Sequence, residues 1–592
     1  MNSKNFPTLD LSDLYKSIDD PQIKKDLAAY KELNIEFAKK YQDKLATLIP
    51  DEAFEMLSLY ENKENIGRLL GDYAWLMSIL NGNDQIIQTF AKNIEELLVE
   101  YSLPAAFFLS EFSALPQIIF DNWLANAKLQ FYAPAIRHLN KMKKHKLSEG
   151  IEKVLEAKKI TSNYGWQRLY HAKDKIIKFS KTRFEIDKIN RFYVDVNEKI
   201  RAEIDADVDS LYAERSYLLS FIYNMLIKDR HIENDLRGFT SQLAKQNWLN
   251  SIDDNSVELL TAVIHKNYFQ LSNRLYKLKA KILNVKKLPS YNLRSPLLPA
   301  QERILDWQEG VENVLATYKS FSPEVYKIVK KMFSNNWIEI QADDKPFFAI
   351  IYPLSGNKHP VVICTWTGTG YSFYGLVHEL GHACNHFLSK KQGELNDNTS
   401  LAYSEIASIF FENLAFNFLL GKENDKQKRL CIIVDYLQYL MYYLCFLMAD
   451  HSFELRTYEE RKSGELTEER LREIWLEEQR AACGEYVEYN DAKGNDWLSQ
   501  FRFFVQPFSC YGYAFAECIV CNLYQVYRNK SVPDFEDKFL TFLSETGIKD
   551  YKELLAPFGL DPTKDEFWQR GVNVVVEYID EAERLAKELG LL

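Results

Sequence analysis

The residues best placed for chemistry lie in the stretch "VHELGHACNHF", where His378, His382 and His386 follow one another at intervals of four. On a helix, positions i and i+4 share a face about 6 Å apart, so the neutral imidazoles of His378 and His382 converge on one ion with bonds near ~2.1 Å. His386 cannot join them. It stands eight positions beyond His378, roughly 12 Å along the axis. Glu379 sits beside His378 rather than stacked on it, which lets it hold a metal-bound water instead of the metal. It would take the water's proton as general base and pass it to a leaving amine, while the metal polarises the scissile carbonyl. The five residues fit the HExxH zinc-hydrolase motif, and the chemistry they suit is peptide hydrolysis.

Two histidines need a third ligand. The route that ends the helix with glycine, HExxHxxGxxH, is closed here by Asn385 and Leu388. A carboxylate on the next helix is the natural supplier, because an antiparallel neighbour returns its first turns to the metal. Glu394 lies in the intervening polar turn, whereas Glu405 and Glu412 share a face of the following helix. Glu405, nearer the turn, is the expected ligand, and Glu412 the expected partner that orients a histidine.

The elements that position these residues are also readable. Ser372 can cap a helix whose apolar stripe is Phe373, Val377, Leu380, Cys384 and Phe387, with both histidines off the stripe. Asn398, Thr399 and Ser400 offer caps for "LAYSEIASIFFENLAFNFLLG", ended by Gly421. Before the first helix, β-branched and aromatic runs in "NWIEIQADDKPFFAIIYPLSGNKHPVVICTWTGTGYS" predict a small sheet. From the start to about residue 285 the pattern is helical, and Pro289, Pro296 and Pro299 then mark a connection. The fold class is therefore mainly α. An N-terminal helical lobe is expected over 1–200 and a catalytic domain over 201–592.

Composition narrows the function. Aromatic residues make up 14% of the 592, and Gly and Pro together only 39, which indicates a fully folded globular chain. A net charge of -11 argues against nucleic acid as the main partner. The first residues lack the apolar core of a secretory signal, and the most apolar run, "CIIVDYLQYLMYYLCFLMADH", is interrupted by Asp435 and Gln438. It reads as a buried helix, so no membrane partner is expected. All eight Cys fall between Cys364 and Cys521 at irregular spacings, which suits reduced thiols in a cytoplasmic protein.

At these residues the sequence resembles the oligoendopeptidase F and thimet oligopeptidase family of zinc metallopeptidases. "HELGH", the downstream "SEIASIFFE", and the upstream "NWIEIQ…KPFFAIIYP…HPVVICTWTGT" carry the resemblance, with weaker matches over most of the chain. It implies a mainly helical, two-lobed ellipsoid with a deep central channel, one Zn2+ at its floor and short oligopeptides as substrates. It implies His378, His382 and Glu405 as metal ligands and Glu379 as the base. The strand containing Val361 to Thr365 would be the edge that pairs with substrate backbone.

Two departures from the family pattern stand out. Asn385 occupies a place where members usually have His, and no His follows His451. Members carry a His and several Tyr in a late segment that stabilise the developing oxyanion; this chain has "QFRFFVQPFSCYGYAFAE" there. Alignment on "YGYAFAE" brings Tyr513, and less directly Tyr511, into that role. The absent His falls near Gln500 to Phe503, leaving Arg502, Gln500 or Gln506 to supply a donor. The expected function is a zinc-dependent endopeptidase cutting internal bonds of oligopeptides. The alternatives are carboxypeptidase-like trimming and a zinc- and peptide-binding protein with weakened turnover.

Overall fold

The structure is a computed structural model that describes residues 6–82, 84–176, 197–297, 305–341, 349–356, 358–397 and 399–592. It is 76% helical with one three-stranded sheet, which bears out the mainly α expectation. Pro299 and Asn398, named above as a connection marker and a cap, lie outside the described residues.

The elements that matter for the site follow in chain order. Helix α1 (Pro50–Leu80) belongs to the N-terminal part, and α2 (Glu198–Arg237) runs 40 residues through the middle. Strands β1 (Ile338–Gln341), β2 (Ala349–Tyr352) and β3 (Val361–Thr365) come next. Helices α3 (Gly370–Ser389) and α4 (Leu401–Lys422) follow, then α5 (Lys426–Met441) and α6 (Leu447–Glu460), joined by a π turn at Tyr442–Phe446. The last two are α7 (Tyr511–Arg528) and α8 (Asp565–Glu588).

The sheet corrects one expectation. β3 lies in the centre, parallel to β1 and antiparallel to β2, and all five of its residues are buried. A strand paired on both sides has no free edge for a substrate. The outer side of β1 is met by the chain start, where the Ile340 N–H donates to the Pro7 carbonyl at 3.1 Å. β2 is the other edge strand, and its residues are only partly buried or exposed. Pairing order depends on contacts distant in sequence, which periodicity does not encode.

Burial explains the rest. The largest core runs from Tyr170 to Ala586 and includes the apolar stripes of α3, α4, α7 and α8. A second lies among Phe37, Met56, Phe112 and Ile136. A third joins Leu11, Leu70 and Tyr73 to Val361 and Ile363, so N-terminal helices pack on the sheet. Among the described residues one helical run, Lys426–Glu460, is long and apolar enough to cross a membrane, and 61% of its most apolar window is buried inside the protein.

Candidate metal centre

Helix α3 begins two residues before the expected cap. Thr369 takes that place, its side-chain oxygen accepting from the Ser372 N–H, and the start at Gly370 sets the rotation of everything after it. The stripe Phe373, Val377, Leu380 and Cys384 is fully buried, so His378 and His382 turn toward α4 and the open side. Ser400 precedes α4, which continues through Gly421 to Lys422.

The two helices meet at Gly381. A Cβ there would stand 2.7 Å from Ser408 Cα and 3.1 Å from the Ala407 carbonyl oxygen. Only a residue without a side chain allows this approach, and it brings Glu405 to the histidines. His378 Nε2 and His382 Nε2 are 3.1 Å apart. Glu405 Oε2 is 3.2 Å from the first and 3.6 Å from the second.

These separations fit a metal. Ligands on a tetrahedral ion with bonds near ~2.1 Å are about 3.4 Å apart. The donor set, two imidazole nitrogens and one carboxylate oxygen, is that of a catalytic zinc site, with a fourth position left for water or substrate. Among the described residues His378, His382 and Glu405 are the one such cluster. His386 is outside it, in a polar cavity of about 190 Å³ with Asn65 and Lys390.

Further partners orient the set. His378 Nδ1 lies 2.6 Å from Glu412 Oε1, which commits that nitrogen to the proton and leaves Nε2 with its lone pair free. The Tyr439 hydroxyl donates to the same oxygen at 3.3 Å and accepts from the Tyr443 hydroxyl at 2.8 Å. Ser408 Oγ donates to Glu405 Oε2 at 3.1 Å. The tyrosines went unnoticed in sequence because they sit in an apolar run; their spacing of four across the π turn was the available signal.

The electrostatics favour positive charge at this spot. Burial opposes a charged His378, but Glu412 and Glu405 outweigh it and raise its pKa well above the ordinary value. Burial likewise opposes ionised Glu405, yet His378 and His382 hold its pKa below the usual carboxylate range. Carboxylates this deeply placed suit a divalent cation. Glu379 is 7% exposed, and desolvation raises its pKa, an effect that the neighbouring His378 and His382 and the Ile351 N–H oppose.

The late segment is mixed. Tyr511 is fully buried and its hydroxyl accepts from Asn250 Nδ2 at 2.9 Å. Tyr513 is only partly buried, stacks on Tyr443 with ring centroids 5.2 Å apart, and accepts from Arg502 Nη2 at 3.3 Å. Gln506 is exposed. Asn385 anchors α3 by donating to the Leu543 carbonyl and Thr546 Oγ1.

A HExxH helix crossed by a second helix that offers Glu405 and Glu412 defines a metallohydrolase of the HExxH…Glu class. Residues 194–574 match the model of Peptidase family M3, and residues 111–179 that of Oligopeptidase F. The chain belongs to peptidase family M3 and is a metalloendopeptidase. Oligopeptidase PepF of Bacillus subtilis is 23% identical, over 97% of this chain and 86% of its own. Oligoendopeptidase-F from Enterococcus faecium superposes with TM-score 0.71 at 18% identity, over 96% of this chain and 99% of its own. A candidate peptidase from Chlamydophila abortus reaches 0.82 at 19% identity, over 98% of each.

Proposed function

We propose that the protein is a zinc-dependent oligopeptidase of the cytoplasm that hydrolyses internal bonds of short peptides, with one ion on His378, His382 and Glu405. The observation that carries this reading is the convergence of three donor atoms to separations of 3.1, 3.2 and 3.6 Å. The relatives' names, Oligopeptidase PepF and Oligoendopeptidase F, support the substrate class. All eight cysteines are thiols outside any disulfide, which suits a reducing compartment.

Zinc, when bound, supplies a Lewis acid for the scissile carbonyl and for water. Glu379 takes the proton from the attacking water and returns it to the leaving nitrogen. Desolvation raises its pKa toward the range in which a carboxylate both accepts and donates near neutral pH. Glu412 keeps His378 in the tautomer that offers Nε2. Tyr513 donates its hydroxyl to the carbonyl oxygen as negative charge develops there. The partly exposed edge of β2, beside Glu379, is where an extended substrate can add its backbone.

Residues 1–200 serve as the N-terminal helical lobe and 201–592 as the catalytic domain. The start of the family match at residue 194 supports this division. A mixed peptide library incubated with zinc-loaded protein tests the proposal. Mass spectrometry should find internal cuts that a chelator prevents; single-residue losses from one end would assign trimming instead.

A further inference from the structure

Arg502 is a partly buried cation without an ion partner among the described residues. Among the described residues its one hydrogen bond goes to the Tyr513 hydroxyl at 3.3 Å, and no carboxylate oxygen lies within 4.0 Å of its guanidinium. The guanidinium carbon sits 5.2 Å from the ring centroids of both Tyr513 and Phe501. The acids in the neighbourhood are occupied elsewhere: Asp450 accepts from Gln479 and Glu454 accepts from the Phe508 N–H. A guanidinium partly withdrawn from water and without a carboxylate favours negative charge that develops near it.

The direction in which Arg502 points suggests what that is. Tyr513, which Arg502 touches, is stacked on Tyr443, whose hydroxyl leads through Tyr439 to Glu412 beside the ligand set. Glu405 is the largest charged influence on the Tyr513 hydroxyl, and with burial it keeps that group a phenol, able to donate. We infer that Arg502 is a positioning residue for peptide hydrolysis: it holds the Tyr513 hydroxyl and strengthens it as a donor to the anion formed at the attacked carbonyl. A guanidinium suits this task because it stays charged and its planar fork fixes direction. The inference rests on the peptidase reading above and on Tyr513 as the donor.

A purely structural Arg502 would only clamp Phe501 and Tyr513 through their ring faces. The experiment compares wild type, Arg502→Gln, Tyr513→Phe and the double variant, all zinc-loaded, in two assays. One measures kcat and KM on a cleaved peptide. The other measures calorimetric affinity for a phosphinic peptide, whose tetrahedral anion mimics the attacked amide. Arg502→Gln should lower kcat about 10-fold to 100-fold, less than the ~100-fold to 1,000-fold of a direct donor, with KM within about threefold. Phosphinate affinity should fall by a similar factor, and in the Tyr513→Phe background the same change should cost under about threefold more. Arg502→Met, which keeps the stacked stem, stands in if Gln prevents folding. Unchanged phosphinate affinity, or equal losses with and without the Tyr513 hydroxyl, overturns the inference. A wild type that cuts no peptide refutes the peptidase reading, and the phosphinate arm still decides the role of Arg502.

Discussion

His378 Nδ1 and Glu412 Oε1 stand 2.6 Å apart across the α3–α4 contact, the shortest polar link in the metal centre. The bond decides which ring nitrogen carries the proton, so the ligand geometry depends on a residue that does not itself face His382.

Glu412→Gln should therefore weaken zinc binding by about 10-fold to 100-fold, because an amide loses the charge that makes His378 a better donor. Chelator competition read by zinc release measures it. Retained affinity would mean that Glu412 is only a packed acid.

Gly381→Ala forces a methyl group against Ser408 Cα at 2.7 Å, where helix backbone is the obstacle and cannot swing away. The overpacking should cost about 1–3 kcal/mol in urea unfolding and shift Glu405 from the histidines, lowering zinc affinity as well. A variant with unchanged midpoint and unchanged affinity would show that the contact tolerates expansion.

His451 and His386 give the fold an acid limit. Burial holds His451 down at about 3 and His386 at about 4, and neither His451 nitrogen has a hydrogen-bond partner among the described residues. An unfolded histidine titrates near ~6.5, so the unfolded chain binds more protons between pH ~6.5 and 4. Stability is full above that window and falls as pH drops through it. Denaturant unfolding from pH 7.5 to 5 should show the loss. His451→Phe, which fills the space beside Phe508 and Tyr511, should reduce the slope by about 1 kcal/mol per pH unit below pH 6. An identical slope would contradict it.

Much of the centre was legible because its information is local. The spacing of His378 and His382, and the exclusion of His386, follow from helix geometry alone. Glu405 follows from its nearness to the turn, although three glutamates are available in sequence and it is the Gly381 contact that brings this one to the histidines. The central place of β3 departs from the expected edge, because which strand takes an edge depends on pairing across sequence separations from 9 residues (Tyr352 with Val361) to 24 (Ile338 with Val362). Tyr439 and Tyr443 are hidden for a related reason: Tyr439 reaches Glu412, and Tyr443 reaches Tyr439, only after α5 folds back along α4, and in sequence both look like core. Thr369 rather than Ser372 capped α3 because the turn after β3 ends earlier than the apolar stripe begins.

The central claim is that Glu379 moves the proton while His378, His382 and Glu405 hold the metal. Glu379→Gln separates the two roles, since it keeps size and leaves every ligand in place. The deciding measurement is kcat/KM for one cleaved peptide, wild type against Glu379→Gln, at equal bound zinc verified by elemental analysis. The account predicts one zinc per chain in both proteins and a loss of about 100-fold to 10,000-fold in the variant. Cleavage by Glu379→Gln at the wild-type rate, persisting after chelation, would contradict it.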